Sequence, residues 1–240
     1  MPTAPLPVPS TPAAIKPRAY VFFDGQNLFH DAEREFGISY PDFDPLRLAT
    51  LVCDRRGWDL RHIRFYTGVP SEQQNRTWSV FWANKGAAMK RLGVEVVTRK
   101  LNYKTISIKL YDQVKIYLPD GSEYPGRLHF DNLAEAPEGV ILEATTFTEK
   151  GIDVRLAVDM IRFFREGLYD VALVFSRDKD LAEAVEEVKR LAGDPKTVTI
   201  ASAFPSNDAG GRGIPGTIHI PISQADYDAC RDPRNYFPRS

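Results

Sequence analysis

The sequence is poor in the residues that build covalent or metal cross-links. Its 240 residues include two cysteines and four histidines. Cys53 and Cys230 are far apart and share no zinc-ligand spacing, and His30, His62, His129 and His219 are scattered. A disulfide framework, a structural zinc and a histidine-activated nucleophile are all disfavoured, and idle thiols fit a cytoplasmic location. No apolar run reaches the ~20 residues that a membrane-spanning helix needs. The N-terminus lacks a charged-then-apolar targeting pattern. Net charge is nearly absent too: a formal −1 excludes a uniformly basic nucleic-acid binder and leaves room only for a local basic patch.

What is present suits a soluble α/β domain. Apolar residues make up 43% of the chain and charged residues 26%, enough for a core without staples. Residues 1–17, rich in Pro, Ala and Thr, read as a disordered leader. The remainder, 18–240, reads as a single domain. "AYVFFDG" is a buried strand and "QNLFHDAEREFG" a helix stopped at Gly37. "DPLRLATLVCDRRG" has Asp44 as N-cap, Pro45 in the first turn and Gly57 as stop. "HIRFYTGVP" is a strand, a helix runs from Ser71 to Gly93, and "VEVVTRKL" is a strand. Residues 102–148 form an insertion with β-hairpin character and a turn at Asp120–Gly121. A helix in "TEKGIDVRLAVDMIRFFREGLYD" and a strand in "VALVFSRDKD" follow. "DLAEAVEEVKRLAG" is a helix and "KTVTIAS" a strand. A glycine-rich loop, the short strand "TIHIPI" and a helix begun by Ser223 complete the chain. Strands alternating with helices predict a mainly parallel central sheet.

Parallel sheets present ligands at the carboxyl ends of their strands. Asp24 ends the first strand, Asp178 and Asp180 follow the strand "VALVF", and Asp153 opens the helix before that strand. Carboxylates gathered at one point repel one another unless a cation lies between them. Mg²⁺ or Mn²⁺, which prefer oxygen ligands, suit that role. Gly25 permits a tight turn that exposes Asp24, Asn27 can orient a water, a phosphate or Asp24 itself through its amide, and Ser176 can bond a carboxylate or a phosphate. Asp is also a common N-cap, so Asp153 and Asp178 each have a purely structural reading; the joint pattern is what points to a site. Asp159 lies six positions beyond Asp153, about 120° away around a helix of ~3.6 residues per turn. That spacing predicts a supporting or surface role.

Three of these stretches, "FFDGQN", "EKGIDVRLAVDM" and "VFSRDKDL", resemble the motifs of the LabA-like NYN domains, a branch of the PIN-like nucleases. The resemblance spans roughly residues 18–202, and "QADYDACRDPRNYF" is similar to tails seen in that family. It implies a PIN-like three-layer fold and a metal-dependent phosphodiesterase acting on RNA. It also implies metal ligation by Asp24, Asp153 and Asp178, with Asp180 as a fourth candidate and Asn27 and Ser176 in support. PIN-like domains often form homodimers, so a homodimer is a further expectation. Three positions depart from the family pattern: Arg177 stands for a small residue, and Lys179 and Leu181 for a small residue and an aromatic. Arg177 and Lys179 bring cations beside the acidic motif, where they would bind phosphate or compete with metal.

From Lys85 to Lys115 there are eight basic residues against two acidic ones. Arg99, Lys100 and Lys104, with Tyr103 among them, suit a single-stranded RNA backbone with stacked bases. Lysines on an edge hairpin also discourage edge-to-edge pairing, so this strip has two readings. Trp78, Phe81 and Trp82 recur at helical spacing and read as core. A catalytically inactive RNA-binding module on the same fold is the alternative to the ribonuclease. A haloacid-dehalogenase-type phosphatase needs a second Asp two positions after the first, where this chain has Gln26. A dinucleotide enzyme needs a Gly-rich turn that is missing after the first strand.

Overall fold

The computed structural model describes residues 15–109, 141–148, 151–194, 197–208 and 210–238, with the backbone alone over 102–109 and 141–148. The chain runs β1 (Arg18–Asp24), α1 (Gly25–Phe36), α2 (Pro45–Arg56), β2 (Asp59–Val69), α3 (Arg76–Arg91), β3 (Glu95–Lys100), β4 (Asn102–Lys109) and β5 (Ile141–Thr148). It continues with α4 (Ile152–Arg165), β6 (Val171–Phe175), α5 (Ala182–Ala192), β7 (Thr199–Pro205), β8 (Ile218–Ile222) and α6 (Gln224–Ala229). It divides into two compact units. The larger takes the described residues of Met1–Tyr66, Met89–Val97 and Val154–Arg234, and the smaller those of Thr67–Ala88, Thr98–Asp153 and Asn235–Ser240.

Six strands form one sheet in the order β3-β2-β1-β6-β7-β8. β1 pairs in parallel with both β2 and β6, β6 with β7, and β7 with β8. The expected mainly parallel sheet flanked by helices is therefore observed. Alternate residues of β1 point to opposite faces, and each face is covered. On one, Phe22 stacks on Phe163 of α4 and meets Tyr169 edge-on. On the other, Phe23 stacks on Phe43, which meets Tyr227 of α6, and Tyr227 meets Phe36 of α1. Helix, sheet and helix make three layers.

Helix ends follow the expected chemistry in most places. Asp44 caps α2 by accepting the Leu46 and Arg47 amides, Gly57 closes it in the left-handed region, and Ser223 caps α6. The start of α3 is displaced from the expected Ser71 to Arg76. The Ser71 carbonyl closes a turn with the Gln74 and Asn75 amides, and its hydroxyl is spent on the Gln74 side chain. Asn75 then takes over as cap, accepting the Trp78 amide.

In the smaller unit, Phe81 is buried with Ala88 and Tyr236, and Trp78, Trp82 and Phe237 pack around them. The aromatic spacing of α3 is thus core, as expected, with the chain's last described residues completing it. β4 pairs antiparallel with β5, from Asn102 opposite Thr148 to Lys109 opposite Ile141. The insertion therefore contains an antiparallel strand pair. Its returning strand is "ILEATTFT", which the pattern of turns and alternation had not marked, and the expected turn at Asp120–Gly121 lies outside the described residues.

Gly25 is not a left-handed turn residue; its constraint is space. A Cβ there would stand 2.6 Å from Phe65 Cζ and 2.9 Å from the Tyr66 carbonyl oxygen. Gly25→Ala is expected to lower stability by about 1–3 kcal/mol through overpacking, read as a lower urea midpoint at unchanged slope.

Candidate metal centre

The site grows out of the sheet's order. The order of strand addition reverses about the β1–β6 pair: β2 and β3 extend the sheet to one side of β1, and β7 and β8 extend it beyond β6. Open parallel sheets hold their ligands beside the carboxyl ends of strands at such a switch point. Asp24 ends β1 there and is 2% exposed. It is also the N-cap of α1, its Oδ1 accepting the Asn27 amide at 3.2 Å. Its Oδ2 accepts the Asn27 side-chain amide at 2.6 Å and the Ser176 hydroxyl at 3.1 Å. Asn27 and Ser176 therefore orient Asp24, as expected. The earlier picture of Gly25 exposing Asp24 is corrected: the carboxylate is buried, and its hydrogen bonds make that tolerable.

Ser176 also accepts the Asp178 amide at 3.0 Å. Asp178 caps a single 3₁₀ turn, Lys179–Leu181, by accepting the Asp180 amide. Asp153 stands in the first turn of α4. Asp24, Asp153 and Asp178 each offer an oxygen within 4.8 Å of the others'. Asp180 is exposed and does not join that group among the described residues.

These donors fit a hard divalent cation. They are all carboxylate oxygens, the ligand type that Mg²⁺ and Mn²⁺ prefer. Three oxygens no more than 4.8 Å apart share a point no more than about 2.8 Å from each, compatible with the roughly 2.0–2.6 Å of Mg²⁺ and Ca²⁺ bonds to oxygen.

The other expected residues go elsewhere. Asp159 is fully buried rather than at the surface. Its carboxylate takes Arg155 Nε at 2.8 Å, the Tyr66 hydroxyl at 3.1 Å and Arg64 Nη1 at 3.0 Å. Arg64 reaches on to Glu95 at 2.6 Å. Burial, with Asp159 alongside, pushes the Tyr66 phenol well up. This is a buried charge network under α4, and a spacing argument alone does not reveal it. Arg177 points along α1: Nη1 donates to Glu35 at 3.4 Å, Nε to the Arg212 carbonyl at 3.1 Å, and the guanidinium lies 4.8 Å from the Phe204 ring centroid. Lys179 is exposed on the 3₁₀ turn. Arg99 and Lys100 are exposed at the end of β3. The backbones of Tyr103 and Lys104 belong to β4, and their side chains lie outside the described residues.

The model of the NYN domain matches residues 18–209. The chain belongs to the NYN domain family. NYN domains are counted among the PIN-like nucleases. Comparison with curated proteins finds no match. Among solved structures, this NYN chain is similar to a protein of unknown function from Vibrio parahaemolyticus. The two are 11% identical, the likeness covers 90% of this chain and 99% of that one, and the TM-score is 0.47. No helix of the described residues is long and apolar enough to cross a membrane.

Asp31, two turns along α1 from Asp24, was not singled out by the sequence. It is buried, and its Oδ2 has no hydrogen-bond partner among the described residues. Burial lifts its carboxyl above the ordinary range, although Arg34 and Arg177 pull it back. A group with a raised folded value binds its proton more tightly in the folded state, so stability falls as pH rises through the window above the ordinary carboxylate value. Asp31→Asn should therefore gain on the wild type as pH rises from below 4 to 7, measured as the difference in denaturation midpoints at each pH.

Proposed function

We infer that this protein is a divalent-cation-dependent ribonuclease of the LabA-like branch, hydrolysing phosphodiester bonds in single-stranded RNA. The observation that carries this reading is the meeting of three carboxylates, from β1, α4 and the turn after β6, within 4.8 Å. Asp24, Asp153 and Asp178 are the residues that would hold Mg²⁺ or Mn²⁺. When bound, such an ion supplies Lewis-acid activation of water and neutralises charge developing on the phosphate.

The chain's own residues do the rest. Asn27 and Ser176 fix the Asp24 carboxylate in one orientation through three hydrogen bonds. Asp178 is held by the Ser176 hydroxyl beneath it and the Asp180 amide above it. Lys179, exposed on the same turn, would meet a phosphate of the incoming strand. Arg99 and Lys100 offer further backbone contacts, and Tyr103 and Lys104 belong to the same proposed strip. Arg177 and Lys179 together lend slight support to an inactive RNA-binding module. The Arg177 guanidinium is engaged by Glu35 and Phe204, which weakens that support, while Lys179 stays exposed on the turn.

Asp24→Asn keeps the helix cap, since Asn caps as well as Asp, while removing a ligand charge. It should cut Mn²⁺-dependent cleavage of labelled single-stranded RNA by at least about a hundredfold, an effect worth roughly 2.7 kcal/mol in the barrier. The circular dichroism spectrum should stay near the wild type, with a lower melting temperature because the new amide nitrogen cannot accept from Asn27 and Ser176. Wild-type cleavage rates in the variant, or no cleavage by the wild type with any divalent cation, would overturn the assignment.

A further inference from the structure

Ser202 is fully buried near the middle of β7. A buried hydroxyl on an interior strand needs partners, and this one has two. It donates to the Ser176 carbonyl at 2.6 Å and accepts the Ile214 amide at 3.2 Å. Ser176 in turn donates its hydroxyl to Asp24 and accepts the Asp178 amide. A chain of contacts thus runs from the glycine-rich loop, through Ser202 and Ser176, to two of the three carboxylates.

The loop is seated closely on this serine. A Cβ on Gly213 would stand 2.2 Å from Ser202 Oγ and 2.8 Å from Phe204 Cε1, so only glycine lets the backbone approach. Ile214, the next residue, is fully buried. Arg177 adds a second tie, donating from Nε to the Arg212 carbonyl. The packing fixes this segment to β7 and to the turn after β6.

We propose that Ser202 is a positioning residue for the carboxylate site, transmitting the seat of the 211–214 segment to the turn that carries Asp178. This rests on reading the three aspartates as a metal centre. Without the hydroxyl, the Ser176 carbonyl loses its donor and the Ile214 amide its acceptor, both in the buried interior. The turn then relaxes, and Asp24 and Asp178 lose their common register on Ser176. Changes to direct partners of metal ligands typically weaken affinity roughly 10–100-fold; Ser202 stands one contact beyond Ser176, so the low end of that range is expected.

The test is a Mn²⁺ titration of the full chain, followed by the electron paramagnetic resonance signal of the free ion, with amide hydrogen exchange at Asp178. Ser202→Ala should weaken Mn²⁺ binding about tenfold, the low end for a supporting residue, and speed exchange of the Asp178 amide. Ser202→Cys, similar in shape and a weaker donor, should fall between. Ile200→Val removes a buried methylene from the same strand without touching these hydrogen bonds. It should keep wild-type affinity despite a comparable fall in denaturation midpoint. Affinity in Ser202→Ala within about twofold of the wild type, well short of the loss expected of a supporting residue, would overturn the proposal. So would an equal loss in Ile200→Val. Asp24→Asn is the separate control. If it binds Mn²⁺ like the wild type, the metal reading fails, and the role of Ser202 is then decided by the Asp178 amide alone: faster exchange in Ser202→Ala supports it and unchanged exchange refutes it.

Discussion

The parallel register of β1 against β6 is the constraint on which the site depends. Phe23 stands opposite Phe175, and their rings stack at 4.1 Å with only 9° between planes. The next residue on each strand is therefore Asp24 on one side and Ser176 on the other, which is why a hydroxyl 152 positions away in sequence reaches the Asp24 carboxylate. The same register explains Gly25. The chain must leave β1 into α1 directly against Phe65 and the Tyr66 carbonyl of β2, and no side chain fits. Core packing and site geometry are one constraint here: a slip of one residue in β1 would turn every phenylalanine to the wrong face and carry Asp24 away from its donors.

Much of this was legible because it is local. Asp24, Asp153 and Asp178 could be picked out as strand-end and helix-start carboxylates, and the alternation of strands and helices implied a parallel sheet that would gather them. Asp44 with Pro45, and Ser223, were legible as caps because capping is decided within three residues. What escaped was decided by distant packing. Asp159 was placed about 120° from Asp153 around α4, and that angle is silent on what α4 packs against. The structure sets β2 there, with Arg64 and Tyr66 aimed at the carboxylate. Ser202 escaped for the same reason: within "TIASAFP" it is one small residue among several. Only the pairing of β7 with β6, Ser202 opposite Val174, brings its hydroxyl to the Ser176 carbonyl. Asp31 looked like any helix-surface acid until α1 was laid on the sheet.

The segment "SRDKD" shows how far local geometry can settle a question that composition leaves open. Two cations interleave with two acids there, and counted by charge alone they would cancel. Extended backbone, however, sends successive side chains to opposite sides. Asp178 is extended, with φ −63° and ψ 120°, and Ser176 and Asp178 meet on one side through the Ser176 hydroxyl. Arg177 leaves on the other, toward Glu35 and Phe204. The chain then turns into a 3₁₀ helix, which carries Lys179 and Asp180 out to solvent. Alternation followed by a turn sorts the five residues into a serine and a carboxylate for the site, an arginine for the fold, and an exposed cation and acid, Lys179 and Asp180, beside the site. The arginine's charge is spent on Glu35, at 3.4 Å, and there it strengthens the seat of the turn instead of opposing a metal ion.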